Sequence, residues 1–366
     1  MAERASAARQ RGRVFLKLLG ALFVLAVLAG AVAAVGYVWV SQLYGAPGPA
    51  NTAMRIEVAP GASLRSVLAR LEASGALSSA RAVEWYLRLK GQAVKVESGQ
   101  YEIPAHASPE EILRLFAEGR VVLEQLTVVE GATFADFLEV LNAQADLAHT
   151  LRGHSPEAIM AALGHPGEAA EGRFFPDTYR FAAGTSDAAI LARAYEAMQR
   201  ELAAAWQARA PDLPLQDPYQ ALILASLVEK EAQLKSERAL IAGVFVNRLK
   251  KGMRLQSDPT VVYGLGASYD GSIHTRDLQT DSPYNTYTRA GLPPTPIALP
   301  GHEALLAAVQ PQDSGALYFV ATGSGDGAHH FSRTLEEHTR AVQKYLGRLR
   351  GSGTAPAAHA GATGRR

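Results

Sequence analysis

Apolar positions fall in three patterns along this chain: one long unbroken run, short alternating stretches, and several stretches at helical spacing. The unbroken run is residues 18–40, which carry no charged side chain; about 20 such residues make a helix long enough to cross a bilayer. Residues 41–53 contain Gly, Pro and Ala and read as a linker. Beyond it, residues 54–58 alternate like a strand, 63–74 and 80–90 are amphipathic like helices, and 98–103 read as a second strand. Ser108, Pro109, Glu110 and Glu111 open a third helix, predicted to run through Phe116, with proline and acids in its first turn. From 121 onward the pattern predicts a strand over 121–129 and helices over 133–144 and 186–209. Residues 149–170 are polar, alanine-rich and weakly patterned, and 171–181 are aromatic and turn-rich. Helices over 219–231 and from Ser236 to about 250 lead to a polar turn, 256–260, which runs into the apolar Val261, Val262 and Tyr263. After an irregular stretch, 269–281, residues 316–321 read as a buried strand and 334–349 as a last helix. Residues 350–366, rich in Gly, Ala, Ser and Thr, read as a disordered tail.

The class this predicts is α+β: a single N-terminal transmembrane helix, a small α/β subdomain over 54–120, and a mixed α+β domain over 121–349. The small unit has the size of a LysM-like glycan-binding module; a packing or spacer domain fits its pattern equally. Arg4, Arg9, Arg11, Arg13 and Lys17 lie in the basic segment 1–17, whereas the first cation after the apolar run is Arg55. The positive-inside rule therefore puts the N-terminus in the cytoplasm and all that follows outside the cytoplasmic (inner) membrane. Tyr37, Trp39 and Tyr44 would form the outer aromatic belt. The alternative is a cleaved signal peptide, for which Ala31-Val-Ala33 offers a small-residue site. The run is longer than the usual signal core of roughly 7–15 residues, which favours the uncleaved anchor.

Composition adds little and excludes some chemistry. With 366 residues and 48% hydrophobic positions, the chain can build two or three domains with ample core. A net charge of +1 gives no reason to expect nucleic acid as a partner. The absence of cysteine rules out disulfides and thiolate metal sites. His329, His330 and His338 lack a regular ligand spacing, so no metal site is expected.

The sharpest chemical feature is the helix over 219–231. Leu224, Leu227 and Val228 recur at spacings of three and four, and the next place on that stripe is Glu231. Glu229, two residues away, points to nearly the opposite face and is expected to be solvated. A carboxyl on an apolar face is desolvated, and near a helix C-terminus it meets the negative end of the macrodipole. Both effects raise its pKa, which suits a general acid. The bland alternative is that Glu231 only ends the stripe in solvent. Residues 282–287 then cluster Tyr284, Asn285 and Tyr287 on a loop. Aromatic faces beside amides suit sugar rings; a tyrosine-rich core loop has the same composition.

Val228-Glu-Lys-Glu231, Val246-Asn-Arg-Leu249, Gly252-Met-Arg-Leu-Gln-Ser-Asp-Pro-Thr260, Tyr284-Asn-Thr-Tyr287, Gly291-Leu-Pro-Pro294 and Tyr318-Phe-Val320 occur in this order. Together they resemble the MltG-type (YceG-like) endolytic murein transglycosylases, over roughly residues 54–346. The resemblance implies a single membrane anchor, a LysM-like subdomain and a mixed catalytic domain, with no cofactor. It implies cleavage of peptidoglycan glycan strands between MurNAc and GlcNAc, leaving 1,6-anhydroMurNAc ends and limiting nascent strand elongation beside peptidoglycan synthases. It assigns catalysis to Glu231, the second glutamate of the triplet. Asn247, Gln256, Asp258, Tyr284, Asn285 and Tyr287 become the expected substrate-binding set. One departure is Ala232, where the family usually has threonine after the triplet. The rival functions are a hydrolytic muramidase pairing Glu231 with Asp258 and a non-catalytic glycan-binding scaffold.

The charge asymmetry yields a direct test of topology. A reporter fused after Arg366 is expected to work only if it is active outside the cytoplasm, and a mature chain beginning near Ala34 would overturn the uncleaved anchor.

Overall fold

Alternation and helical spacing resolve into two compact units, Met1–Glu124 and Gln125–Arg366. The computed structural model describes residues 2–59 and 61–352, with side chains between 19 and 350. Most of the expected tail, 353–366, lies outside the described residues.

In the first unit, α1 (Ala2–Gly45) carries the charge-free run. Its stretch Leu19–Gly45 has a mean hydropathy of 2.5 and the length of one membrane-crossing helix. The helix runs on to Gly45, so the connection to the next strand begins later than residue 41. Then come β1 (Met54–Val58), α2 (Leu64–Ala73), α3 (Ala80–Lys90), β2 (Gly99–Ile103) and α4 (Pro109–Ala117). Serine side chains at 63, 79 and 108 cap the three helices, and Ser108 with Glu111 forms a reciprocal capping box. β1 and β2 pair antiparallel with Met54 opposite Ile103 and Val58 opposite Gly99. That register turns Ile56, Val58, Tyr101 and Ile103 inward onto Leu68, Leu71, Leu87, Ile112 and Phe116.

The second unit opens with β3 (Leu123–Thr127), α5 (Phe134–Asn142), α6 (Pro156–Ala162) and β4 (Thr178–Ala182), with β3 and β4 paired. α7 (Asp187–Gln207), α8 (Pro218–Glu231) and α9 (Arg238–Lys250) follow, then α10 (Asp258–Leu265), α11 (Thr275–Gln279) and α12 (His302–Val309). An antiparallel pair, β5 (Tyr318–Ala321) and β6 (His329–Ser332), and α13 (Leu335–Ser352) complete it. One core joins α5, β4 and the first part of α7 around Phe137, Phe174 and Ile190. The other surrounds α8, which packs against α7, α9, α10 and α12.

Several local expectations need correction. Residues 256–260 are not a turn throughout, because α10 begins at Asp258 with Pro259 in its first turn and carries Val261, Val262 and Tyr263. The weakly patterned 149–170 holds α6, and the irregular 269–281 holds α11. Ser236 does not cap a helix; a 3-10 turn, Lys235–Glu237, feeds α9 without a side-chain cap. α8 itself is not striped, since every residue from Ala221 to Val228 is buried. A helix that is apolar on all sides must be wrapped on all sides.

Gly243 shows how closely α9 is packed, for a Cβ there would lie 2.1 Å from the Gln312 carbonyl oxygen. Glycine inside a helix ordinarily costs about 1 kcal/mol relative to alanine. Gly243→Ala is nevertheless expected to lower stability, by about 1–3 kcal/mol, because overpacking outweighs the propensity gain. Denaturant unfolding checks the sign; a more stable variant would mean the 310–313 segment moves away freely.

Candidate active site

α8 delivers Glu231 at its last helical position, and Ala232 leaves in an extended conformation. The carboxyl reaches a cavity of about 520 Å³ whose wall includes Asp258, Val262, Tyr263, Tyr269 and His329. Burial pushes the Glu231 carboxyl up to about 7, and the neighbouring Asp258 adds to the rise. Against this, the Ser257 hydroxyl donates to Oε1 at 2.7 Å, and buried Arg248 favours the charged form. Among the described residues Oε2 accepts no hydrogen bond from protein.

The wall carrying Ser257 and Asp258 is built from buried polar groups. Gln256 sits at φ 49, a left-handed conformation that costs a non-glycine residue about 1–2 kcal/mol. Its N–H donates to the Thr286 carbonyl at 3.1 Å, and the Ser257 N–H donates to the Thr286 hydroxyl oxygen at 3.0 Å. The Thr260 hydroxyl donates back to the Ser257 carbonyl at 2.6 Å. Arg248, 1% exposed, donates from Nε to the Leu317 carbonyl at 2.6 Å and from Nη1 to the Leu255 carbonyl at 2.8 Å. Thus the 255–257 turn is pinned from below by an arginine and from the side by a threonine.

Of the expected site residues, Glu231 and Asp258 line the cavity together. The others lie in the supporting structure. Tyr287 donates its hydroxyl to Asp258 Oδ1, and its own phenol is pushed upward by burial and by that carboxylate. Asn285 is buried and donates to the carbonyls of Asp277, Leu278 and Thr280, while its Oδ1 accepts the Tyr287 N–H at 2.9 Å. Tyr284 shares a hydrogen bond with Thr295 at 2.9 Å and meets Tyr263 edge-on. Gln256 Oε1 faces Arg248 Nη1 at 3.4 Å, and Asn247 donates to Asp313 at 3.1 Å and to the Ala316 carbonyl at 3.3 Å.

Sequence reasoning missed Tyr263, His329 and the acids behind them. The Tyr263 hydroxyl donates to Glu171 Oε2 at 3.1 Å, while Oε1 accepts the Phe134 N–H at 3.0 Å. Burial pushes that second carboxyl up to about 7 as well. His329 Nδ1 lies 2.7 Å from Glu237 Oε2, and its backbone N–H donates to the same carboxylate at 2.9 Å. Reading Asp258–Leu265 at helical spacing would have put Asp258 with Val262 and Pro259 with Tyr263, one turn apart. No local pattern marks His329. Among the described residues no three His, Asp or Glu side chains converge as metal ligands would.

Glu229 is the principal correction, for it is not solvated. Its side chain is 5% exposed; Oε1 takes Arg238 Nη2 at 2.5 Å and Oε2 accepts the Gly301 N–H at 3.0 Å. Arg238 also reaches Glu130 at 3.3 Å. Burial still holds the Glu229 carboxyl above its ordinary value. The two glutamates do point apart, as their spacing requires: Glu229 meets Arg238 and the Gly301 N–H, and Glu231 meets Ser257 on the cavity wall.

A family model described as YceG-like matches residues 56–344. The chain belongs to the YceG-like family. Within it, the chain is 29% identical to the endolytic murein transglycosylase of Bacillus subtilis (strain 168) over 316 residues, covering 81% of this chain and 86% of the relative. It is 28% identical over 324 residues to the endolytic murein transglycosylase of Streptococcus pneumoniae, covering 80% of this chain but only 58% of that longer protein. The crystal structure of a YceG-like protein from Listeria monocytogenes, 29% identical, covers 79% of this chain and 99% of its own with a TM-score of 0.49.

The uneven treatment of the two acids in this YceG-like chain predicts opposite stability effects. Below its ordinary pKa of 4.5, Glu231 is neutral both folded and unfolded. Between 4.5 and about 7 only the unfolded chain ionises, so the carboxyl lowers stability as pH rises, by on the order of 3 kcal/mol in all. Glu231→Gln is expected to match the parent near pH 4 and to exceed its stability at pH 8. Glu229→Gln leaves Arg238 short of a buried partner and is expected to cost on the order of 2–3 kcal/mol at pH 7. Denaturant unfolding at the two pH values checks both; equal stability of parent and Glu231→Gln at pH 8 would refute the buried neutral carboxyl.

Proposed function

We propose that this chain is a membrane-anchored endolytic lytic transglycosylase, cleaving peptidoglycan strands between MurNAc and GlcNAc and forming 1,6-anhydroMurNAc ends. The observation that carries the reading is Glu231, a desolvated carboxyl pushed up to about 7 on the wall of an open cavity. The relatives named endolytic murein transglycosylase supply the substrate class. A glycosidase using water ordinarily needs two carboxyl groups, one acid and one base or nucleophile. When the muramic acid 6-hydroxyl attacks its own anomeric carbon, one group can serve both steps.

Protonated Glu231 donates to the glycosidic oxygen as the C1–O bond breaks, and the leaving sugar departs with the proton. The carboxylate so formed accepts a hydrogen bond from Ser257 and lies near the Arg248 charge, which steadies it between steps. It then takes the proton of the 6-hydroxyl as that oxygen bonds to C1, which restores the acid and consumes no water. The nucleophile is already part of the bound substrate, so the second step gains the advantage of an intramolecular reaction. Asp258, oriented by Tyr287, is the proposed substrate-facing partner; Asn247, Gln256, Tyr284 and Asn285 support the wall.

α1 serves as the uncleaved anchor in this proposal, with the catalytic unit outside the cytoplasmic membrane. There the enzyme would limit nascent strands beside the synthases that extend them. The two-stranded antiparallel sheet with its helix pair supports a LysM-like role in glycan engagement for the small unit. Because Asp258 shares the cavity with Glu231, a hydrolytic muramidase is the second reading.

Digestion of purified sacculi followed by product mass separates these readings. Anhydro products weigh one water less than the reducing-end products of a hydrolase, and a binding scaffold gives no products. Glu231→Gln is expected to lower turnover by about 10²–10⁴-fold or more. Since the acid must start protonated, kcat/KM of the parent should decline as pH rises through about 7. Activity that survived in Glu231→Gln, or rose across that range, would sink the assignment.

A further inference from the structure

The C-terminal half of α3 carries an apolar pair that the core does not use. Trp85 and Leu89, one helical turn apart, are 57% and 52% exposed, although Val83 and Leu87 on the same helix are buried. Exposed cations surround the pair: Arg81 and Lys90 on α3 and Lys95 just after it, with Arg88 also paired to Glu84 at 3.2 Å. An indole and a leucine set among arginine and lysine is the composition of a surface that rests in a bilayer interface.

The packing of α3 on α1 gives this face a depth. Tyr44 stacks on Tyr86 with ring centroids 4.3 Å apart, and the Lys90 ammonium lies 5.7 Å from the ring centroids of both Tyr37 and Tyr86. Moving from Tyr86 to Lys90 along α3 therefore means moving back from Tyr44 toward Tyr37 along α1. The two helices run antiparallel, and the C-terminal end of α3 points down α1. Val40, 8% exposed, is packed within the same unit, so the seat is a packed contact as well as a charged one. A hydrocarbon core of about 30 Å takes about 20 helical residues at 1.5 Å each. Counted from Leu18, the first residue after Lys17 and the start of the charge-free run, that core ends near Tyr37. The tip of α3 then reaches headgroup depth.

We infer that the Trp85–Leu89 face of α3 is a membrane-docking surface that inserts into the outer headgroup region beside α1, with Arg81, Arg88, Lys90 and Lys95 meeting lipid phosphates. The inference rests on the reading of α1 as an uncleaved anchor. Docking would hold the first unit at the bilayer surface and fix its orientation about α1.

The chain has no cysteine, so single introduced cysteines can be spin-labelled in the full-length protein. The test uses nanodiscs of phosphatidylethanolamine and phosphatidylglycerol, with labels at Leu89→Cys, at Val27→Cys inside α1, and at exposed Glu72→Cys on α2 as a water control. Oxygen concentrates in lipid and a nickel chelate stays in water, so the ratio of their collision rates reports depth. The Leu89 label is expected to show an oxygen-to-nickel ratio well above that of the Glu72 label and below that of the Val27 label. Equal ratios at positions 89 and 72, with position 27 buried in lipid, would overturn the docking surface and leave the anchor standing. This is also the result expected if Trp85 instead stacks on sugar, because the nanodiscs hold no glycan. A water-exposed label at position 27 would overturn the anchor and the docking surface together.

Discussion

The burial of the middle of α8 is the constraint on which the second unit depends. Eight consecutive residues, Ala221 to Val228, leave no face for solvent, so helices must close on every side. The same closure removes water from both acids at the end of the helix. Glu229 receives an arginine and a backbone N–H in return, whereas Glu231 receives one serine hydroxyl and a carboxylate neighbour. Burial raises both carboxyls, and Glu229 alone has a buried guanidinium as its partner.

The wall facing Glu231 obeys a related rule. Buried polar groups are tolerable only when nearly all of them are paired, and a half-paired network is worse than an apolar one. Asn285, Thr286, Thr260, Ser257 and Arg248 pair among themselves and with backbone carbonyls, although Arg248 Nη2 is left without a hydrogen-bond partner among the described residues, and the network holds Gln256 in a backbone conformation it would not otherwise favour. The tyrosine and amide loop that composition suggested as a sugar platform is largely inside this network. Its contribution to the site is rigidity: it fixes Ser257 and Asp258 relative to Glu231, and small errors in such positions are costly for proton transfer.

Local periodicity carried much of the architecture into the sequence. The charge-free run, the alternation of residues 54–58, the serine caps and the two-residue offset that sends Glu229 and Glu231 about 200° apart on a helix all express geometry within a few residues. That is why the membrane-spanning length, the two strands of the small unit and the direction of the acid are legible in the sequence. Helix α10 was legible too, through Pro259 and the spacing of Asp258, Val262 and Tyr263, but its polar start read more readily as a turn.

What the tertiary structure alone decided are meetings between distant segments. Glu237 orients His329 across 92 positions, Tyr263 reaches Glu171 across another 92, and Gly301 closes on Glu229 across 72. A pattern of polar and apolar residues records which face of an element is buried, not which other element covers it. The burial of Glu229, the supporting roles of Asn285 and Gln256, and the place of His329 on the cavity wall all depend on the covering element. The sequence determined where the acid would point, because a helix has a fixed pitch; folding determined what it would meet there, because that depends on chain segments far away.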